Sequence, residues 1–199
     1  MRNTLIGIAA FISLVLGLLV ASMMMPRSLS EEESQRLGLY LFDPPRLVAD
    51  FSMTDHLGNA ANLKLLKGHW SLLFFGFTTC PDICPTTLSV LADAVKKMPD
   101  PPMIIMVSVD PERDTPEVLA QYVPAFDPTF VGISGSFNET VKLAEQLNVA
   151  FGKVPGYEPG SYLVDHSASL VLINPDGKYA GFIKAPHNAQ NIQRIVSSL

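Results

Sequence analysis

Two cysteines carry the first chemical signal. They stand in Cys80-Pro81-Asp82-Ile83-Cys84-Pro85 and are the only thiols in the chain. An apolar run, LLFFGF (Leu72 to Phe77), leads into them. A stretch from about Pro85 to Lys97 follows, with Leu88, Leu91, Ala92 and Val95 on one helical face. Both thiols therefore fall where a strand gives way to a helix N-terminus, whose partial positive charge favours a thiolate. Both are expected to be more acidic than a free cysteine. Three residues separate them, so the spacing is neither the Cys-x-x-Cys of thiol redox motifs nor the Cys-x-x-Cys-His of covalent haem attachment. Three chemistries fit: a structural disulfide, a redox-active dithiol, and a metal site with two thiolates and a third ligand. The disulfide would close a short loop and contribute little stability.

The elements that must position these residues can be read from periodicity and caps. Residues 26–48 read as a linker in which Ser30 and Glu33 have capping-box spacing and Asp43-Pro44-Pro45 breaks any helix. From Ala49 the pattern is strand, turn, strand, with Leu57-Gly58-Asn59 as the turn. Met103 to Val109 is a second buried strand. Thr115-Pro116-Glu117 opens a helix with Thr as N-cap and Pro at the first position. Phe130 to Ile133 is a short strand, and Ser136 with Glu139 caps a helix through Leu147. Residues 152–163 read as the one long irregular loop. Leu170 to Ile173 and Tyr179 to Ile183 pair around Asn174-Pro175-Asp176-Gly177, and a helix from Asn188 to Leu199 closes the chain. Strands alternating with helices, then a hairpin and a helix, predict an α/β fold with a mixed sheet covered on both faces.

A third ligand is sought among four histidines. His56 falls in a hairpin turn, His69 beside Gly68 looks solvated, and His187 follows Pro186 at the last helix. Each of these reads as structural. His166 differs: it ends the long loop in Tyr162-Leu163-Val164-Asp165-His166-Ser167, just before a buried strand. In a thioredoxin-like topology that junction lies beside the cysteine loop. Thioredoxins have a cis-proline there, where this chain has His166-Ser167-Ala168. A histidine facing two thiolates points to metal before redox chemistry. The donor set suits Cu(I) or Zn(II), but a closed zinc site wants a fourth ligand and no further cysteine exists. Two sulfurs and one nitrogen with an open position suit Cu(I), and Cu(II) can use the same donors.

Other candidates have plainer readings. Asp110 and Asp114 in SVDPERD read as turn and cap residues, with a role for Asp110 beside the cysteine loop as the alternative. Asp165 either hydrogen-bonds the neighbouring imidazole or shapes the loop. Met23-Met24-Met25 ends an apolar segment, and Met53, Met98, Met103 and Met106 are not grouped with the cysteines. Asn138-Glu139-Thr140 fits a glycosylation sequon but reads as a helix start.

Composition narrows the class. Charged residues are 17% and hydrophobic residues 48%, which excludes a disordered chain. The 14 basic and 19 acidic residues form no basic run, which excludes a nucleic-acid binder. Thr4 to Met25 is an uncharged apolar stretch of 22 residues, long enough as a helix for a hydrocarbon core of ~30 Å. Arg2 before it predicts a single-pass anchor with the rest exported, most simply to a bacterial periplasm. A signal peptide cleaved near Val20-Ala21-Ser22 is the alternative.

Taken together, FFGFTTCPDICP, SVDPERDTPE and YLVDHS…LINPDGKY resemble the Sco/SenC family over Ala49 to Leu199. The resemblance implies a thioredoxin-like domain over 49–199 and copper bound by Cys80, Cys84 and His166. It implies delivery of copper to the dinuclear copper A centre in subunit II of cytochrome c oxidase, or reduction of that centre's cysteines. In that second role Cys80 and Cys84 would cycle through a disulfide. A copper donor and a thiol reductant are implied as further partners. Thr79 departs from the bulkier residue of many members, at a position that is not a ligand. A thiol peroxidase on the same fold would need an arginine by the thiolate, and none lies between Arg46 and Arg113.

Overall fold

The computed structural model describes residues 11–19, 28–156 and 161–199. Its centre is an eight-stranded mixed sheet whose order is β1 (Leu39–Arg46), β10 (Tyr179–Ile183), β9 (Leu170–Ile173), β4 (Ser71–Gly76), β5 (Met103–Ser108), β6 (Val131–Ser134), β2 (Met53–Asp55), β3 (Ala60–Ala61). The middle is parallel: β4 (Ser71–Gly76), β5 (Met103–Ser108) and β6 (Val131–Ser134) run the same way. Every residue of β4 and all but Met103 of β5 are buried. That is why both read as unbroken apolar runs rather than alternating ones. The antiparallel hairpin of β9 (Leu170–Ile173) and β10 (Tyr179–Ile183) joins β4 from the other side. The turn between them places Gly177 at φ 77°, which favours glycine.

Helices α3 (Ile83–Val95), α4 (Pro116–Tyr122), α5 (Phe137–Gln146) and α6 (Ala189–Val196) flank the sheet. The starts of α4 and α5 follow the predicted caps, while α3 begins two residues before its expected start, without a side-chain cap. Thr115 accepts a hydrogen bond from Val118 N, and Ser136 accepts one from Glu139 N. Glu139 does not complete its capping box; its carboxylate takes Ser52 N and Lys142 Nζ instead. Leu88, Leu91, Ala92 and Val95 are the buried face of α3, as their spacing predicts. β2 (Met53–Asp55) and β3 (Ala60–Ala61) form the expected hairpin at the far edge.

Two expectations are corrected. The segment read as a linker is built into the domain. Ser30 caps a short helix, α2 (Glu31–Arg36), and β1 (Leu39–Arg46) pairs with β10 through Leu39↔Ile183, Tyr40↔Phe182 and Leu41↔Gly181. Its Asp-Pro-Pro signals hid it, because proline is tolerated on the outer edge of a sheet where no partner needs its missing N–H. The long irregular loop is a ribbon: β7 (Phe151–Pro155) pairs with β8 (Tyr162–His166) as a separate two-stranded sheet. Gly152, Pro155 and Gly156 masked its strands.

The expected N-terminal anchor falls mostly outside the described residues. Residues 11–19 are helical, α1, with exposed side chains. Among the described residues no helix is long and apolar enough to cross a membrane.

Candidate metal centre

β4 ends at Gly76, the chain turns through Phe77–Asp82, and α3 starts at Ile83. Cys84 thus lies in the first turn of α3, fully buried, and Cys80 in the preceding loop, half-buried. His166 arrives from the last position of β8. The two Sγ atoms and an imidazole nitrogen all lie within 4.8 Å of one another. Cys84 Sγ and His166 Nε2 are 3.4 Å apart. His166 Nδ1 is 3.2 Å from the Ser167 carbonyl, which only accepts, so Nδ1 carries the proton and the Nε2 lone pair faces sulfur. The ring packs edge-on against Phe74 and Phe77, at 5.8 and 6.0 Å. These three residues, separated by up to 86 positions, are the ones the sequence singled out.

The expected acidity of both cysteines does not hold for Cys84. Burial pushes its thiol well above the ordinary range, and a backbone hydrogen bond at Phe77 opposes this only in part. The helix N-terminus cannot compensate for removing a thiolate from water. Burial also pushes His166 down, against the Ser167 carbonyl and Asp165. The resting site is therefore a protonated Cys84 beside a neutral imidazole. A bound cation would reverse that balance and release a thiol proton.

Asp110 and Asp114 are not helix caps; Thr115 has that role. Both are buried. Asp114 accepts from Thr78 Oγ1 at 2.6 Å, Thr78 N at 3.2 Å and Ser108 Oγ at 2.7 Å. It thereby ties the start of the cysteine loop to the end of β5. Burial raises its pKa, and these hydrogen bonds oppose the shift. Asp110 accepts from Arg113 Nε and from Tyr162 Oη, the latter at 3.0 Å. Arg113 is thus committed to Asp110 and Tyr162, not to the thiols.

Asp165 is exposed, and the imidazole Nδ1–H donates to the Ser167 carbonyl instead. Thr79 is exposed. His56 is in the β2–β3 turn, its Nδ1 accepting from Gly132 N at 3.2 Å. His69 is half-buried rather than solvated, with Nδ1 3.1 Å from Ser71 Oγ. His187 Nε2 donates to the Ala168 carbonyl at 2.8 Å, behind the His166 turn. Asn138 to Thr140 lie in the first turns of α5, and Met53 and Met106 are core residues.

Sequence reasoning passed over Gly76. A Cβ there would come within 2.6 Å of the Phe74 ring and 3.1 Å of Cys84 Sγ. Glycine lets the strand approach the sulfur. A lone glycine at the end of an apolar strand, just before the cysteine loop, was the available signal.

The chain resembles known proteins both in sequence and in fold. The SCO1/SenC family pattern matches residues 42–199. The mitochondrial SCO2 homolog of Mus musculus is 37% identical over 148 residues, covering 72% of this chain but 58% of its own length. The chain therefore spans less than two thirds of that relative. The copper-bound crystal structure of Arabidopsis thaliana ScoI superposes with a TM-score of 0.70 and 35% identity, over 75% of this chain and 94% of that one. BsSco, a member of the Sco family of cytochrome c oxidase assembly proteins in which a disulfide switch was identified, gives 0.62 and 26%, over 79% and 96%. With a family pattern that spans residues 42–199 and relatives of this similarity, the chain belongs to the SCO1/SenC family.

Proposed function

We propose that the chain is a copper chaperone that holds one copper ion between Cys80 Sγ, Cys84 Sγ and His166 Nε2. The observation that carries this reading is the convergence of two sulfurs and one imidazole nitrogen within 4.8 Å. Soft thiolates with one imidazole favour Cu(I) and also serve Cu(II). The Ser167 carbonyl fixes the tautomer, and Phe74 and Phe77 wall the imidazole from water. Cys80 is half-exposed, so a partner's ligands can reach the metal and exchange with these ones. The recipient is the dinuclear copper A centre of cytochrome c oxidase subunit II, supported by the copper-bound and oxidase-assembly relatives. The N-terminal apolar segment holds the domain at the outer face of a bacterial inner membrane, in the periplasm.

A second reading rests on the unequal exposure of the two thiols. As a thiol–disulfide oxidoreductase, half-exposed Cys80 would attack a disulfide of subunit II, and buried Cys84 would resolve the mixed disulfide. The Cys80–Cys84 disulfide forms as the partner regains two thiols, and an external thiol reductant resets the pair. The disulfide switch of BsSco supports this reading.

An anaerobic Cu(I) titration of the reduced full-length chain in detergent, beside His166→Ala, tests the first reading. One copper per chain is expected, with affinity at least about tenfold weaker in the variant. No copper, or binding indifferent to His166, overturns it. For the second, Cys84→Ser should trap a mixed disulfide with an oxidised peptide carrying the two copper-ligand cysteines of subunit II. Absence of the adduct counts against it.

A further inference from the structure

His166 is carried by a ribbon that shares no strand pairing with the main sheet. A two-stranded ribbon alone is marginal in water, so whatever docks it decides where the imidazole sits. Side chains alternate along β8, which puts Tyr162, Val164 and His166 on one face. Phe151 and Lys153, paired with His166 and Val164, share that face from β7. At the His166 end, Ser167 is tied to Ala150 by N–H and hydroxyl hydrogen bonds.

The other end is held by Tyr162. Its Oη donates to the buried Asp110 carboxylate at 3.0 Å. Arg113, paired with Asp110, donates from Nη1 to the Tyr162 carbonyl at 3.3 Å and lies 4.0 Å over the ring. Lys153 Nζ lies 4.3 Å over the same ring and pairs with Glu112 at 2.7 Å. One turn, Asp110 to Asp114, therefore grips both halves of the site: Asp114 holds Thr78 ahead of Cys80, and Asp110 holds the ribbon that carries His166.

We infer that Tyr162 is a positioning residue, which through Asp110 and Arg113 docks the ribbon and sets His166 against Cys84. This inference rests on the copper reading for its function but not for its geometry. Tyr162→Phe keeps the ring under both cations and removes only the hydroxyl. In the copper-free full-length chain, amides of β7 and β8 should exchange hydrogen about tenfold faster in the variant, with β4 and β5 unchanged. Copper affinity should fall about tenfold, and the substitution should cost nothing further in a His166→Ala background. Unchanged exchange in the ribbon overturns the inference. So does an equal loss of copper affinity with and without His166, which would mark a general structural effect. A wild-type chain that binds no copper overturns the proposed function instead, and the exchange measurement still decides the role of Tyr162.

Discussion

Gly76→Ala offers a way to disturb the centre without touching a ligand. Gly76 is not in the left-handed region, so the methyl group's effect is one of space alone. The new Cβ would sit 2.6 Å from Phe74 Cε1, against an ordinary contact of at least 3.4 Å, so that ring must retreat by about 0.8 Å. Phe74 is fully buried, so its retreat presses on the side chains packed around it. Overpacking of this kind costs about 1–3 kcal/mol, or a melting temperature lower by about 2–12 °C for a chain this size. The same methyl group stands 3.1 Å from Cys84 Sγ, so the sulfur must give by about 0.3 Å or more. That exceeds the roughly 0.2 Å latitude of a metal–ligand bond. His166 packs on the displaced Phe74 ring and shifts with it. Copper affinity should therefore fall by about 10–100-fold. Thermal unfolding of the copper-free chain and a Cu(I) competition titration read the two effects. Gly132→Ala is the control: its Cβ would press first on Val123 and Leu119, at 3.0 and 3.2 Å, and not on a ligand or on Phe74. It should lower the melting temperature and leave copper binding alone. If Gly76→Ala binds copper like the wild type, or if both variants lose affinity alike, the reasoning from Gly76 to Cys84 fails.

Two further perturbations test the supports around the site. Thr78→Val removes a 2.6 Å hydrogen bond to the buried Asp114 carboxylate and keeps the backbone one. It should cost about 1.5–3 kcal/mol by denaturant unfolding, because the lost bond is to a charged group, and Thr78→Ser should recover most of that; equal losses would refute a hydroxyl role. His187 has its pKa pushed down by burial, with the Ala168 carbonyl opposing. A depressed histidine contributes stability that is complete above its unfolded value of 6.5 and lost as pH falls below it. His187→Gln keeps a donor for Ala168 without titrating, so its melting temperature should fall less than the wild type's between about pH 7 and 5. His166 shifts in the same direction in both proteins and cancels in the comparison; parallel curves would refute the assignment to His187.

What was legible in the sequence was whatever depends on local periodicity or chain-local caps. The apolar runs of β4 and β5 read as buried strands, which they are, and Thr115 and Ser136 marked helix starts that the structure keeps. The cysteine spacing and the lone candidate imidazole named the three residues that converge, because so few side chains can supply soft donors. Edge strand β1 and the β7–β8 ribbon were hidden. Prolines and glycines there mimic loop, and the hydrogen bonds that make them strands come from residues far away or across a turn. Burial was hidden as well. The helix N-terminus predicted an acidic Cys84, but the tertiary environment removes it from water and drives the thiol the other way. Asp110, Asp114 and Gly76 belong to the same class. Nothing local distinguishes a capping aspartate from one that accepts Thr78 and Tyr162, or an ordinary strand glycine from one that makes room for a sulfur. Residue order alone told which donors this protein has and that a strand and a helix flank the two cysteines. The ribbon under His166, the charge states and the distances come from the packed fold, because each depends on residues brought together from far along the chain.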